Sequence, residues 1–512
     1  MNKRPSSLKN TSAEAVLSLN RHLQDDLDAS QNEDIIHYFN LPQPLKEELF
    51  TLAYRKWDHQ RGVKALLRFW LFLVDSHKWN TIRTPRYIYG DKSARLIILE
   101  RLKSIQTCTL VLDMYTFYQR QKSTCGQNGL RDSYKDSKKR FSLDDEEKET
   151  LYGVLVSPSI SCSITDLIIP NVVNDSMMYL IMRYCRKLKD LNINFSVNVD
   201  DSSIAHVFED QFINRGLRTF FADGTSLTSA SLKTIFESQP FLERLLVDER
   251  IFEDYLLNVH DDKELPIRRI SLAVKRDYYG DNYYLGILAC ACPYLEEINI
   301  EFLHRSQVSG LVNLAKLEYL NKLAIGYVGY PKLSPLLSEI GHRLKSFKYC
   351  YYGEDNPPYL TRIFILLPNL ESLSINAQIL YFSPYIPAQP LSLSPTTLKF
   401  IHLNIHAIIA KDIWTSIMIH CTHLESLELT TCEDLEDITL TSSVFEVSKD
   451  ALYYLRHLSI RGRHCGDVKL TEKSVSLISQ RCPRLITLED TSTWSLTPCS
   501  CTLSVSKMKR RL

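Results

Sequence analysis

The chain has 512 residues, and its 61 lysines and arginines against 60 acids leave a formal net charge of +1. That balance argues against a polyanion-binding protein, whose basic face would show as an excess, while 44% apolar and 24% charged residues are ordinary for a folded domain. No apolar run approaches the roughly 18 residues of a membrane span, no apolar leader follows Met1-Asn2-Lys3-Arg4-Pro5, and thirteen scattered cysteines read as reduced thiols in a cytoplasmic and/or nuclear protein.

Taken in chain order, residues 1–34 are polar and predict a disordered tail. Residues 35–92 predict a small helical module. Leu41-Pro42 opens its first helix, which carries Leu45, Leu49 and Phe50. A proline suits that place because its missing N–H would be unpaired there anyway. Leu66 and Leu67 lie in an apolar middle helix, and Val74 to Trp79 forms a third. The stretch 119–141 is polar, holds Gly126 and Gly129, and predicts an exposed loop. Order resumes at 142–146, where Asp144, Asp145 and Glu146 suit the first turn of a helix through Leu151, Val154 and Leu155.

A repeat fills the rest. Its unit is apolar-x-x-apolar-x-apolar, as in Ile164-Thr165-Asp166-Leu167-Ile168-Ile169. Copies begin at Leu188, Leu217, Leu242, Ile267, Leu295, Leu320, Leu344, Leu370, Leu398, Leu424, Leu455 and Leu485, spaced by 24 to 31 residues, with a weaker copy at Ile105. The period of two marks a short strand with one buried face. Helix signals precede several copies: Asn174-Asp175, Thr228 and Thr471 stand as caps, and Val475, Leu477 and Ile478 share an apolar side. One such unit cannot bury its own apolar face, so the units must stack. The predicted fold is α/β, with the array over 93–495 and a flexible basic tail over 496–512.

Four copies read Cys-x-x-apolar-x-x-apolar, with Cys185, Cys292, Cys421 and Cys482 in the leading place. A small apolar thiol at the helix-to-strand corner fits a tight buried site. Over about residues 95–495 the chain resembles the leucine-rich-repeat family in its cysteine-containing form. That resemblance implies a solenoid, with a curved parallel sheet on its concave side and helices on its convex side. The segment from Leu41-Pro42 through Val74 and Trp79 to Pro85-Arg86-Tyr87-Ile88-Tyr89 resembles an F-box. It implies docking on the Skp adaptor of a cullin-RING ubiquitin ligase by Leu41, Pro42, Leu45, Leu49, Phe50, Leu66, Leu67, Val74 and Trp79. The alternative for this module is a plain cap on the first repeat.

Motifs for chemistry are missing. Cys290-Ala291-Cys292 and Cys499-Ser500-Cys501 lack the spaced second pair of a zinc site, and His464-Cys465 face opposite ways in an extended segment. No phosphate loop, Gly-x-Ser-x-Gly or His-Glu-x-x-His occurs. The expectation is a non-enzyme without cofactor or metal, binding neither nucleic acid nor membrane. Strand residues beside the buried ones point outward. Asn192, Phe221, Arg244, Arg269, Asn299, Lys322, Phe400, His402, Glu428 and Arg461 are therefore the candidate contacts to a target protein, with Thr219, Asp248 and Lys348 in the same outward row. Together these readings predict the substrate receptor of an SCF-type ligase. The alternatives are a repeat scaffold or inhibitor with no ligase attached, and a regulator acting on a partner's active site.

Overall fold

A computed structural model describes residues 78–83, 92–112, 143–210, 212–259, 263–273, 284–300, 307–353, 358–381, 397–406, 411–430, 435–448, 450–462, 468–489 and 493–495. The expected tail 1–34, loop 119–141 and basic tail 496–512 lie outside the described residues. The chain divides into two compact units, Met1–His260 and Asp261–Leu512.

In the first unit six strands lie parallel and side by side in chain order: β1 (Lys78–Arg83), β2 (Gln106–Val111), β3 (Asp166–Ile168), β4 (Asp190–Asn192), β5 (Thr219–Phe221) and β6 (Arg244–Asp248). The second unit has nine in the same arrangement: β7 (Arg269–Ala273), β8 (Glu297–Ile300), β9 (Lys322–Gly326), β10 (Ser346–Tyr351), β11 (Ser372–Ala377), β12 (Phe400–Ile405), β13 (Ser426–Thr430), β14 (His457–Arg461) and β15 (Thr487–Glu489). Helices alternate with them. Parallel neighbours in chain order, joined through helices at the described crossovers other than that from β11 to β12, make this a leucine-rich-repeat fold. Every predicted copy from Ile164 to Leu485 leads into a strand. The weaker copy at Ile105 is corrected in register: Leu110 pairs with Leu167, so its buried positions are Thr107, Leu110 and Leu112, and Cys108 is exposed.

One boundary is corrected. Trp79 was expected on a helix of the module 35–92, with the array starting at 93. Lys78–Arg83 is instead a strand, with Trp79 opposite Thr107 and Ile82 opposite Leu110. The sheet therefore begins at least fifteen residues earlier than expected. Toward the other end, buried Trp494 donates its indole N–H to the Ile460 carbonyl at 2.8 Å.

Most repeats bury three apolar residues at matching places, such as Leu424, Leu427 and Leu429, while Leu488 of the last repeat is half-buried. Burial of one such side chain contributes roughly 1.5–3 kcal/mol. The corner before the strand is equally dry. Cys185, Cys292, Cys421 and Cys482 are all buried there. Asn214 and Gln239 fill the same place in two other repeats and use their amides to stitch neighbours. Asn214 Nδ2 donates to the Leu188 carbonyl at 2.6 Å, and Gln239 Nε2 to the Asn214 carbonyl at 2.8 Å. At Gly341 neighbouring repeats come close, and a Cβ there would collide with the Leu366 carbonyl oxygen.

The helix starts are tied to one another. Asn174, Asp200, Thr228 and Thr471 cap their helices as read from the sequence or in the same place. Asp201 then accepts from the Thr228 N–H at 2.8 Å and from the hydroxyls of Thr228 and Ser231 in the next repeat. Asp437 does the same toward Thr471 and Ser474. Burial opposes its charge, but hydrogen bonds from Ser474, then from Thr471, hold the Asp437 carboxyl below its ordinary range. On helix Glu472–Arg481 the buried residues are Ser474, Val475 and Ile478, while Leu477 is half-buried. The serine is inside because it serves Asp437.

The expected acidic helix start is present, with Asp144 as N-cap of Asp145–Val156 in a capping box with Glu147. Glu147 is buried and pairs with Arg95 of helix Lys92–Leu102 at 2.5 Å. Buried charge is tolerated when paired and hydrogen-bonded in this way.

Candidate functional site

Alternation along each strand puts one set of side chains on the core and the other on the open sheet face, and register aligns the open set into rows. In the first unit one row runs Thr81, Thr109, Asp166, Asp190, Thr219 and Arg244. The next runs Ile168, Asn192, Phe221 and Leu246, and Val111, in register with Ile168, is buried. Asn192 and Phe221 are half-buried and Arg244 is exposed, as expected of an open face. Ile168 and Leu246 join them half-buried, which the repeat pattern did not single out. Burial pushes the Asp190 carboxyl up, and Asp166 beside it adds to the shift, with Arg244 pulling the other way.

Two residues of the expected outward row are not available. Thr219 and Asp248 are each 5% exposed. Asp248 turns back to cap helix Glu249–Asp254 through the Arg250 N–H at 3.0 Å.

In the second unit one open row reads Arg269, Glu297, Lys322, Ser346, Ser372, Phe400, Ser426, His457 and Thr487. Two residues further along the strands a second reads Ser271, Asn299, Ala324, Lys348, Ser374, His402, Glu428, Ser459 and Glu489. Arg269, Asn299, Lys322, Phe400, His402, Glu428 and Arg461 are all half-buried or exposed. They do not form one cluster. Arg269 and Lys322 flank Glu297 at 4.0 and 3.5 Å. Asn299 donates to Ser271 Oγ at 3.0 Å. His402 Nδ1 lies 2.6 Å from Glu428 Oε2. Arg461 is on β14 opposite Thr430.

Phe400 differs from its row. It is 46% exposed, and its neighbours Ser372 and Ser426 are too small to cover the ring. An exposed aromatic on a rigid strand is the kind of residue that anchors protein interfaces.

The strands of the second unit also end in aromatics that the sequence reading did not single out. Tyr327, with φ +62, stands 5.8 Å from Tyr352, and Tyr352 meets His406 edge-on at 5.2 Å. A tyrosine in the left-handed region carries backbone strain. The signal for Tyr352 and His406 was available, since both continue the outward alternation of β10 and β12.

Of the expected adaptor contacts, Leu41, Pro42, Leu45, Leu49, Phe50, Leu66, Leu67 and Val74 lie outside the described residues. Trp79 is in β1.

Chemistry at the cysteines is discouraged by their surroundings. Burial pushes the thiols of Cys185, Cys292, Cys421 and Cys482 up to about 12, with Cys162 adding to the effect at Cys185. Such thiols stay neutral and are poor nucleophiles. Among the described residues no group of three or more His, Cys, Asp or Glu is placed to hold a metal ion, and no helix is long and apolar enough to cross a membrane.

No protein-family model matches the chain, and no curated protein matches it in sequence. Solved structures do. An internalin, InlF from Listeria monocytogenes, is 17% identical over 64% of this chain and 80% of its own, with a TM-score of 0.36. Rad7 of yeast, solved in complex with Elc1, is 15% identical over 64% and 81%, with a TM-score of 0.35. The leucine-rich-repeat protein LegL7 of Legionella pneumophila is 11% identical over 59% and 91%, with a TM-score of 0.33. The repeat character of this chain rests on its own strand ladder and spacing.

Proposed function

We propose that the chain is the substrate-recognition subunit of an SCF-type cullin-RING ubiquitin ligase. In this reading the segment before β1 docks the Skp adaptor through Leu41, Pro42, Leu45, Leu49, Phe50, Leu66, Leu67 and Val74. The open sheet face holds the target protein. The chain catalyses nothing itself, and ubiquitin transfer by partner enzymes is a proximity effect. The observation that carries the binding half is the open strand row of the second unit, where Phe400 stands uncovered among serines. The adaptor half is supported by the Leu-Pro helix motif at Leu41-Pro42 directly before the array.

The test is a pulldown of purified Skp adaptor with the full-length protein and with its Leu41→Asp/Leu49→Asp variant. Carboxylates set against an apolar partner face without pairing are costly. The full chain should bind and the variant should not. A folded full-length protein that does not bind the adaptor removes the ligase reading.

Strand β1 favours a second reading. Because Lys78–Arg83 already belongs to the sheet, the segment in front of it is well placed to cap the first repeat. The protein would then be an interaction scaffold or inhibitor with no ligase attached.

A further inference from the structure

The charges on the open side of the second unit fall into two kinds. Where the strands begin, acids and bases alternate and answer one another. Arg268 meets Glu296 at 2.6 Å, Glu371 sits between Lys345 and Lys399 at 3.8 and 3.3 Å, and Arg456 meets Glu425 at 3.6 Å. Lys348 is different. It is exposed, its strand neighbours in register are Ala324 and Ser374, and among the described residues no hydrogen bond or ion pair engages it.

Around Lys348 the sheet forms a trough. Its floor is β11, whose outward residues Ser372, Ser374 and Asn376 are all small or short. One wall is Lys348 on β10, and the other is His402 on β12, already held by Glu428. Tyr352 and His406 meet across β11 and close one end. Phe400 stands open at the other. Lys348 and Phe400 are two strands and two residues apart, which places their Cα atoms roughly 12 Å from each other, the span of about four residues of extended chain.

We propose that this trough binds an extended segment of a partner protein, with an acidic side chain on Lys348 and an apolar one on Phe400, about four residues apart. The acid is required by charge, since Lys348 is the one uncompensated charge of the trough among the described residues. The serine hydroxyls of the floor donate to the same carboxylate. The apolar residue covers the exposed ring. This proposal rests on the strand-face half of the proposed function and is independent of adaptor docking.

The experiment is selection of a phage-displayed random peptide library on the full-length protein, repeated on Lys348→Glu, Phe400→Ala and Ser374→Trp. Unfolding midpoints equal to that of the parent protein establish that each variant is folded. The expected result is enrichment of peptides with Asp or Glu about four residues from an apolar residue. Lys348→Glu should weaken such a peptide about tenfold and should select Lys or Arg in place of the acid. Phe400→Ala should retain the acid and lose the apolar preference. Ser374→Trp should block both. Peptides blocked by Ser374→Trp but indifferent to Lys348→Glu overturn this proposal and leave the strand-face reading standing. Peptides indifferent to all three substitutions overturn both. Absence of any enrichment on the parent protein overturns the extended-segment proposal.

Discussion

The row where the strands of the second unit begin and the outward row a few residues further along both carry lysine on the same scaffold. They behave differently. In the first, each of Arg268, Lys345, Lys399 and Arg456 lies within 4 Å of an acid on the adjacent repeat. In the second, Lys348 stands beside alanine and serine. A charge answered by its neighbour contributes a little stability and has little left for a partner. A charge left open contributes no stability and remains available. On a repeat surface, exposure alone does not identify a binding residue; the side chain across the next strand decides.

Four substitutions sharpen that contrast. The largest effect belongs to the face opposite the trough. Phe347 lies on β10 next to Lys348 and is fully buried, so Phe347→Ala should cost about 3–5 kcal/mol, seen as a lower urea midpoint.

Next is a buried charge with no answering cation. Glu249 is fully buried and neither carboxylate oxygen has a hydrogen-bond partner. Burial, then Glu253 and Asp248, push its carboxyl up to about 8. A carboxyl raised in the folded state carries no penalty below its ordinary range. The penalty grows as pH rises toward 8 and is full above it. Glu249→Gln should therefore gain stability over the parent across that window, on the order of a few kcal/mol at its alkaline end. Melting curves across pH read this directly, and a pH-independent difference would contradict it.

Asp437→Ala removes the acceptor for Thr471 and Ser474 and should cost about 1–3 kcal/mol. Its effect should fade as pH falls far enough to protonate Asp437 in the parent protein, because that carboxyl is held low in the folded state. The smallest effect is at the paired row. Glu371→Gln should cost at most about 1 kcal/mol and shrink with salt. It should leave peptide binding unchanged, where Lys348→Glu does the reverse.

The strand positions were legible because leucine spacing records them directly. From Ile164 to Ile460 the triplets among the described side chains are buried where the pattern put them. Strand β1 escaped because Lys78-Trp79-Asn80-Thr81-Ile82-Arg83 carries no apolar triplet, and only its pairing with β2 reveals it. The alternation also placed Phe400, His402 and Glu428 on one face correctly. It missed that Thr219 and Asp248 are buried, because their burial comes from neighbouring chain and from a helix cap. The cysteine corner was legible, but its amide counterparts Asn214 and Gln239 were not. Their role lies in hydrogen bonds to another repeat, and a single repeat's sequence does not display its neighbour. Pairing between repeats is the physical quantity that a linear pattern omits. It separates Lys348 from Lys345.

The central claim is that one end of the chain holds the adaptor and the open sheet face holds the target, independently. The most direct measurement is a quantitative pulldown of Skp adaptor with the parent protein, Leu41→Asp/Leu49→Asp, and Lys348→Glu/Phe400→Ala. The account predicts equal adaptor binding by the parent and the strand-face variant, and none by the N-terminal variant. A folded parent protein that leaves the adaptor in solution, or adaptor binding lost on the strand-face variant, would contradict it.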